Sequence, residues 1–250
     1  MDKKKPASDG VCAIAVMAKS PRPGHSKTRL CPPLHATQAA GLSAAFLRDT
    51  TENLRAAADS IAIARYAAYA PLGTEAGLAQ HLAADTPLIL ADGSGTDTAG
   101  VQGFGRCLLD AIMGPFARGH ASACVLSSDT PNLPTSYLVA AATLLSEGDE
   151  NRVVLGACED GGYYLLGMNV PHAGLFADIA WSTETVAEAT RARARSLGLD
   201  LIELPPWYDI DDAGALDQLL RDDRGYAAPF TRRAIAALGV AALLQGERAA

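Results

Sequence analysis

Hydrophobic and polar positions along the chain switch between two periods. Residues 11–18 form an unbroken apolar run of strand length, and residues 36–58 set Ala40, Ala44, Leu47 and Leu54 near helical spacing. Further strand-like runs lie at 61–69, 88–91, 123–126, 153–157 and 200–204. They are separated by Ala-rich amphipathic stretches at 74–84, 105–117, 134–147, 183–197 and 212–221. Pro134 stands where a helix opens, and Tyr163–Met168 resumes the sheet after a Gly161-Gly162 turn. Strands covered on both faces read as continuous apolar runs, and the intervening helices supply the cover. The pattern therefore predicts an α/β fold with an open, mostly parallel sheet and helices on both faces.

Composition narrows the class. A chain of 250 residues, 49% hydrophobic, can bury about 70% of its unfolded surface, which suffices for a core without staples. No linker divides residues 11–223, which read as a single domain. Residues 1–10 have no apolar stretch of signal length and are expected to form a disordered lead-in. Residues 224–250 read as one C-terminal amphipathic helix, packed on the domain or on a partner subunit, so a homodimer stays open. The longest apolar run falls far short of the roughly 20 residues of a membrane span, which excludes a membrane protein. A net charge of -7 and a pI near 5.2 exclude a general nucleic-acid binder. The five cysteines show no CxxC and no zinc-spaced histidine. Cys12, Cys124 and Cys158 lie in strand-like runs, as reduced, buried thiols of a cytoplasmic protein would.

An acidic protein meets an anionic ligand only through local basic residues, and these are concentrated after the first strand. Lys19, Arg22, Lys27 and Arg29 fall within eleven residues that also hold Pro21, Pro23, Gly24 and His25. The first βα loop of an open sheet lies at the carboxyl edge where ligands bind, so this segment is either a phosphate cradle or a solvated basic turn. Asp129, in Ser127-Ser128-Asp129-Thr130-Pro131, ends a central strand. It is placed either to hold a divalent cation or to start an Asx-type turn. Asp160-Gly161-Gly162 is either a hairpin turn, with Tyr163 in the core and Tyr164 at its rim, or a close backbone approach to a ligand. Before the 183–197 helix, Ser182 or Thr183 reads as an N-cap with Trp181 as its staple. Asp209 and Asp211 share one side of an extended stretch and are placed to share a cation, unless Asp211 or Asp212 caps the next helix.

In order along the chain, K-x-P-x-P-G-x-x-K-T-R-L at 19–30, S-D-x-P-x-L at 128–133, D-G-G-Y-Y-L-L-G at 160–167, W-S-T at 181–183 and D-I-D at 209–211 resemble the nucleotide-diphospho-sugar transferase superfamily. The specific likeness is to its DUF2064-type, glycosyltransferase-like branch, which is similar to the molybdopterin and phospholactate guanylyltransferases. The resemblance implies a GT-A, Rossmann-like fold and a Mg²⁺ or Mn²⁺ cofactor. It implies that Lys19, Pro23, Gly24, Lys27 and Arg29 meet nucleotide phosphates and that Asp129, with Asp211 and Asp209, holds the metal. Asp160, Gly161, Gly162, Trp181 and Ser182 would border the acceptor, with Lys27, Asp129 and Asp160 catalytic. Gly103-Phe104-Gly105-Arg106 lacks both acids of the family's G-D-L-G-E-R stretch, and Asp211 is not followed by T-P-E-D-L. The expected partners are a nucleotide or nucleotide-sugar and a small-molecule acceptor. Three functions stand open: glycosyl transfer from a nucleotide-sugar, transfer of a nucleoside monophosphate from a triphosphate, and nucleotide binding without catalysis.

Overall fold

A computed structural model describes residues 10–240, 242 and 243; the expected lead-in at 1–9 and the segment 244–250 lie outside the described residues. The strands are β1 (Cys12–Lys19), β2 (Ile63–Ala70), β3 (Leu88–Leu90), β4 (Ser122–Leu126), β5 (Arg152–Cys158), β6 (Tyr163–Met168) and β7 (Asp200–Trp207). The helices are α1 (Ala36–Ala57), α2 (Glu75–Ala79), α3 (Phe104–Ala117), α4 (Thr135–Ser146), α5 (Val186–Ser196), α6 (Ala213–Arg221) and α7 (Pro229–Ala237). One sheet runs in the order β3-β2-β1-β4-β6-β5-β7. Every pairing is parallel except those of β6, which runs antiparallel to both β4 and β5.

The two-residue period of the central strands sorts the core into two layers. Cys12, Ile14, Val16 and Ala18 of β1, with Cys124 and Leu126 of β4, pack among Leu42, Phe46 and Leu47 of α1 and Leu138 and Leu145 of α4. Ala15, Ala123 and Val125 face the opposite way, against Leu108, Leu109 and Ile112 of α3. The expected open sheet with helices on both faces is what forms. The chain reversal before the antiparallel β6 brings the Asp160 turn to the carboxyl ends of the parallel strands.

Several boundaries differ from the sequence pattern. β7 continues through Pro205 and Pro206 to Trp207, which its position at the sheet edge tolerates, since an edge strand leaves some N–H positions unused. The 74–84 stretch yields only α2. α5 begins at Val186 rather than 183, with Thr185 at its N-cap and no side-chain bond there. Neither Ser182 nor Thr183 caps it: Ser182 takes a left-handed φ of 64°, and the Thr183 hydroxyl donates to the Ala180 carbonyl at 2.7 Å. α7 runs from Pro229 to Ala237, Gly239 turns left-handed just after it, and Val240, Ala242 and Leu243 are helical again beyond that turn. α7 packs on α1 of its own domain. No helix among the described residues is long and apolar enough to cross a membrane.

Candidate active site

The loop after β1 is shaped by its own backbone before any ligand is considered. The Arg22 carbonyl accepts from the amides of His25 and Ser26, both at 3.1 Å, and the Ser26 hydroxyl accepts from the Arg22 amide at 3.0 Å. The chain then enters Lys27 in a left-handed conformation, φ 49°. The Lys27 side chain consequently turns inward, only 8% exposed, against the Phe46 ring. Its Nζ lies 2.8 Å from Asp129 Oδ1, 2.8 Å from Asp211 Oδ1 and 2.8 Å from the Ile210 carbonyl. Burial lowers the tendency of this amine to hold its proton, but the two carboxylates outweigh it and shift the pKa above the ordinary lysine value. Arg29 Nη1 reaches Asp211 Oδ2 from the solvent side at 3.2 Å.

Backbone bonds hold the two carboxylates in register. The Ile210 amide donates to the Asp129 carbonyl at 2.8 Å, which ties the loop after β4 to the loop after β7. The local turn at Asp129 is made by Ser127, whose hydroxyl accepts from the Asp129 amide at 3.1 Å. The Asp129 carboxylate is thereby left to Lys27. Asp212 is the cap of α6, its Oδ1 accepting from the Ala215 amide at 2.8 Å, and Asp211 is left to the site.

The Asp209–Asp211 pair divides. Asp211 faces Lys27 and Arg29, whereas Asp209, Cys158 and Asp160 bring their ligand atoms within 4.8 Å of one another. Burial, then the charges of Asp160 and Asp211, push Asp209 up to about 6. Burial and the neighbouring Asp209 and Asp160 also push the Cys158 thiol up, which marks it as an inert buried thiol. Asp160 Oδ1 accepts from the Gly162 amide at 2.8 Å. Gly161 is obligatory in this turn: its φ is +93°, and a Cβ there would collide with the Glu184 carbonyl.

A cleft of about 470 Å³ opens along the carboxyl ends of the central strands. Lys19, Lys27, Arg29, Ser128, Asp129 and Asp211 line its polar part, and Met17, Ala68, Phe104, Cys107, Leu108 and Val125 its apolar part. Pro23, Gly24, Asp160, Gly161, Gly162, Trp181, Ser182 and Asp209 are not among its lining residues. The Asp160 turn packs instead on the start of α5, since the Gly161 carbonyl accepts from the Ala187 amide at 2.8 Å. Tyr163 and Tyr164 both line the cleft, and Tyr163 packs against the core as expected. Tyr164, expected at the rim, is fully buried, and the buried Tyr163 hydroxyl has no hydrogen-bond partner among the described residues. The Trp181 indole lies against Gly105, its Nε1 2.8 Å from where a Cβ would be, and meets the exposed Phe104 ring edge-on at 6.0 Å. Sequence reasoning missed Phe104 and Cys107 as lining residues; the signal available was Gly105, a glycine inside an apolar helix, which marks a close approach.

Comparisons with known proteins agree on the fold. The chain is similar to a protein from Desulfovibrio desulfuricans provisionally named a nucleotide-diphospho-sugar transferase, with 22% identity and a TM-score of 0.76 over 91% of this chain and 96% of that one. It is similar to CMP:2-keto-3-deoxy-manno-octonic acid synthetase complexed with CTP, with 11% identity and a TM-score of 0.51 over 84% and 96%. It is also similar to a mannose-1-phosphate geranyltransferase from Thermus thermophilus, with 15% identity and a TM-score of 0.52 over 86% and 80%. No curated protein matches the sequence. The fold is that of the nucleotide-diphospho-sugar transferases. Residues 53–183, over half of the chain, match the family described as uncharacterised proteins conserved in bacteria, DUF2064, and the protein belongs to that family.

Proposed function

We propose that the protein is a divalent-cation-dependent transferase that moves a glycosyl group from a nucleotide-sugar to a small acceptor in the cytoplasm. The observation that carries this is the convergence of Asp129 and Asp211 on one positive centre, at the edge of a cleft that also presents Lys19 and Arg29. Two carboxylate oxygens already gathered around a cation are the donor chemistry a hard divalent ion requires, so the residues fit Mg²⁺ or Mn²⁺. Bound there, the ion supplies charge neutralisation for the departing nucleoside diphosphate. Asp129 and Asp211 are the residues that would hold it, with Asp209 behind them. Lys19, Lys27 and Arg29 bind the phosphates, and the turn at Pro23 and Gly24 orients them. On the acceptor side, Asp160 Oδ1 is engaged by Gly162, which leaves Oδ2 to take the acceptor's proton. Gly161 and Gly162 form the turn that presents Asp160, and Trp181, next to Ser182, supports the acceptor side from behind through its contact with Phe104 of the cleft wall.

One observation favours nucleotidyl transfer as a second reading: the cleft carries enough cationic side chains for a triphosphate. Product analysis decides. Release of a nucleoside diphosphate supports glycosyl transfer, pyrophosphate supports nucleotidyl transfer, and binding without turnover means a non-catalytic module. Asp129→Asn is the accompanying variant. Its amide oxygen still accepts from Lys27 and Asp211 keeps the charge balance, so stability should change by no more than about 1 kcal/mol. Metal-dependent nucleotide binding should fall at least tenfold. A large loss of thermal stability with metal dependence intact would show that Asp129 is structural.

A further inference from the structure

We propose that the Lys27 ammonium is a built-in placeholder for the divalent cation, so that the site accepts metal only together with a phosphate ligand. The substrate is then a metal–nucleotide complex, with no stage at which the protein holds free metal. This deepens the transferase reading and rests on it. An ammonium has three N–H donors, and here all three acceptors are supplied by the protein: Asp129 Oδ1, Asp211 Oδ1 and the Ile210 carbonyl, each at 2.8 Å. As it stands, Lys27 has no donor left for a phosphate.

Geometry makes the two cations exclusive. Mg²⁺ binds carboxylate oxygens at about 2.0–2.1 Å. An ion held by Asp129 Oδ1 and Asp211 Oδ1 on the side of the pair that Nζ occupies would overlap a nitrogen that already sits 2.8 Å from each. Metal therefore enters only when Nζ leaves. The side chain is almost fully buried beside the Phe46 ring, and an ammonium deprived of its acceptors in such surroundings is strongly disfavoured. Free metal offers Lys27 no replacement partner. A metal-bound phosphate offers both parts of the exchange: the ion takes the two carboxylates, and phosphate oxygens accept from Lys27. The flexible four-carbon stem permits that swing without moving the left-handed backbone at Lys27. Arg29, already on Asp211 from the solvent side, further weakens the attraction of this carboxylate pair for metal alone.

The test is Mn²⁺ binding to the full chain, read as enhanced water-proton relaxation by protein-held ion, with Mn²⁺ alone and with Mn²⁺ plus inorganic pyrophosphate. The wild type should hold Mn²⁺ at least tenfold more tightly with pyrophosphate than without. Lys27→Met should bind Mn²⁺ alone at least tenfold more tightly than the wild type does. Equal affinity of the two proteins for Mn²⁺ alone would overturn the proposal. Should Lys27→Met fail to fold, the wild type still decides, because pyrophosphate-independent binding of Mn²⁺ refutes the placeholder and pyrophosphate-dependent binding supports it. A wild type that holds no Mn²⁺ even with pyrophosphate or nucleotide would remove the transferase reading itself, and the placeholder with it.

Discussion

Asp209 carries a charge that its surroundings do not balance. Lys27 is committed to Asp129 and Asp211, and burial, Asp160 and Asp211 raise Asp209 from 3.8 to about 6. A carboxyl whose folded pKa exceeds its unfolded value holds its proton better in the folded chain. Its contribution to stability is therefore lost as pH rises from near 4 to 6, and the penalty is complete above 6. Asp209→Asn should raise the melting temperature of metal-free protein at pH 7.5, and the gain should vanish towards pH 4. A gain that is constant with pH would show that charge is not its source. The sequence singled out Lys27, Asp129 and Asp211 as candidates but gave no sign that they bond to one another. Lys27 and Asp211 are 184 residues apart, and only the strand order brings them together. Tyr164 lies in the core rather than at the rim because the register shift at Gly156 and Ala157, against which it packs, breaks the simple alternation of faces.

At the scale of elements, α1 was legible almost to the residue, because a long 3.6-residue period leaves little ambiguity. The C-terminal helix was not, since its Ala-rich composition runs on through Gly239 while the helix breaks there. What fixes α7 is a residue on another helix. Asp49 of α1 is fully buried and accepts from the Phe230 and Thr231 amides at 3.1 and 2.6 Å. It supplies from outside the cap that Ala228 cannot make. Asp49→Ala removes both acceptors and should cost about 2 kcal/mol, as for a lost cap with charge-assisted hydrogen bonds. Amide hydrogen exchange in α7 should accelerate, while stabilisation by nucleotide stays unchanged, since neither Asp49 nor α7 lines the cleft. Unaltered protection of the Phe230 and Thr231 amides would show that α7 is held by its apolar contacts alone.

For the whole molecule, the open α/β sheet was readable from alternating runs and the reversal of β6 was signalled by the hairpin alternative at Asp160-Gly161-Gly162, but the strand order was not readable, because it leaves no local mark in the pattern. Ligand binding acts on this scale. At about 100 times its dissociation constant, a nucleotide ligand with Mg²⁺ should stabilise the fold by roughly 2.7 kcal/mol, a rise of about 5–10 °C in melting temperature. Omitting the metal should abolish most of that rise; an equal shift without it would disconnect the carboxylates from nucleotide binding. The strand order also bears on how the protein is made. β1, β2 and β3 can assemble early, yet β1 keeps one edge unpaired until β4 has been synthesised. Lys27 emerges from the ribosome long before Ile210 and Asp211, two of the three acceptors its ammonium requires. A nascent chain therefore carries the complete basic loop through most of translation without a seat for its buried lysine. A chain released before residue 210 would retain every basic residue of that loop and still lack the site.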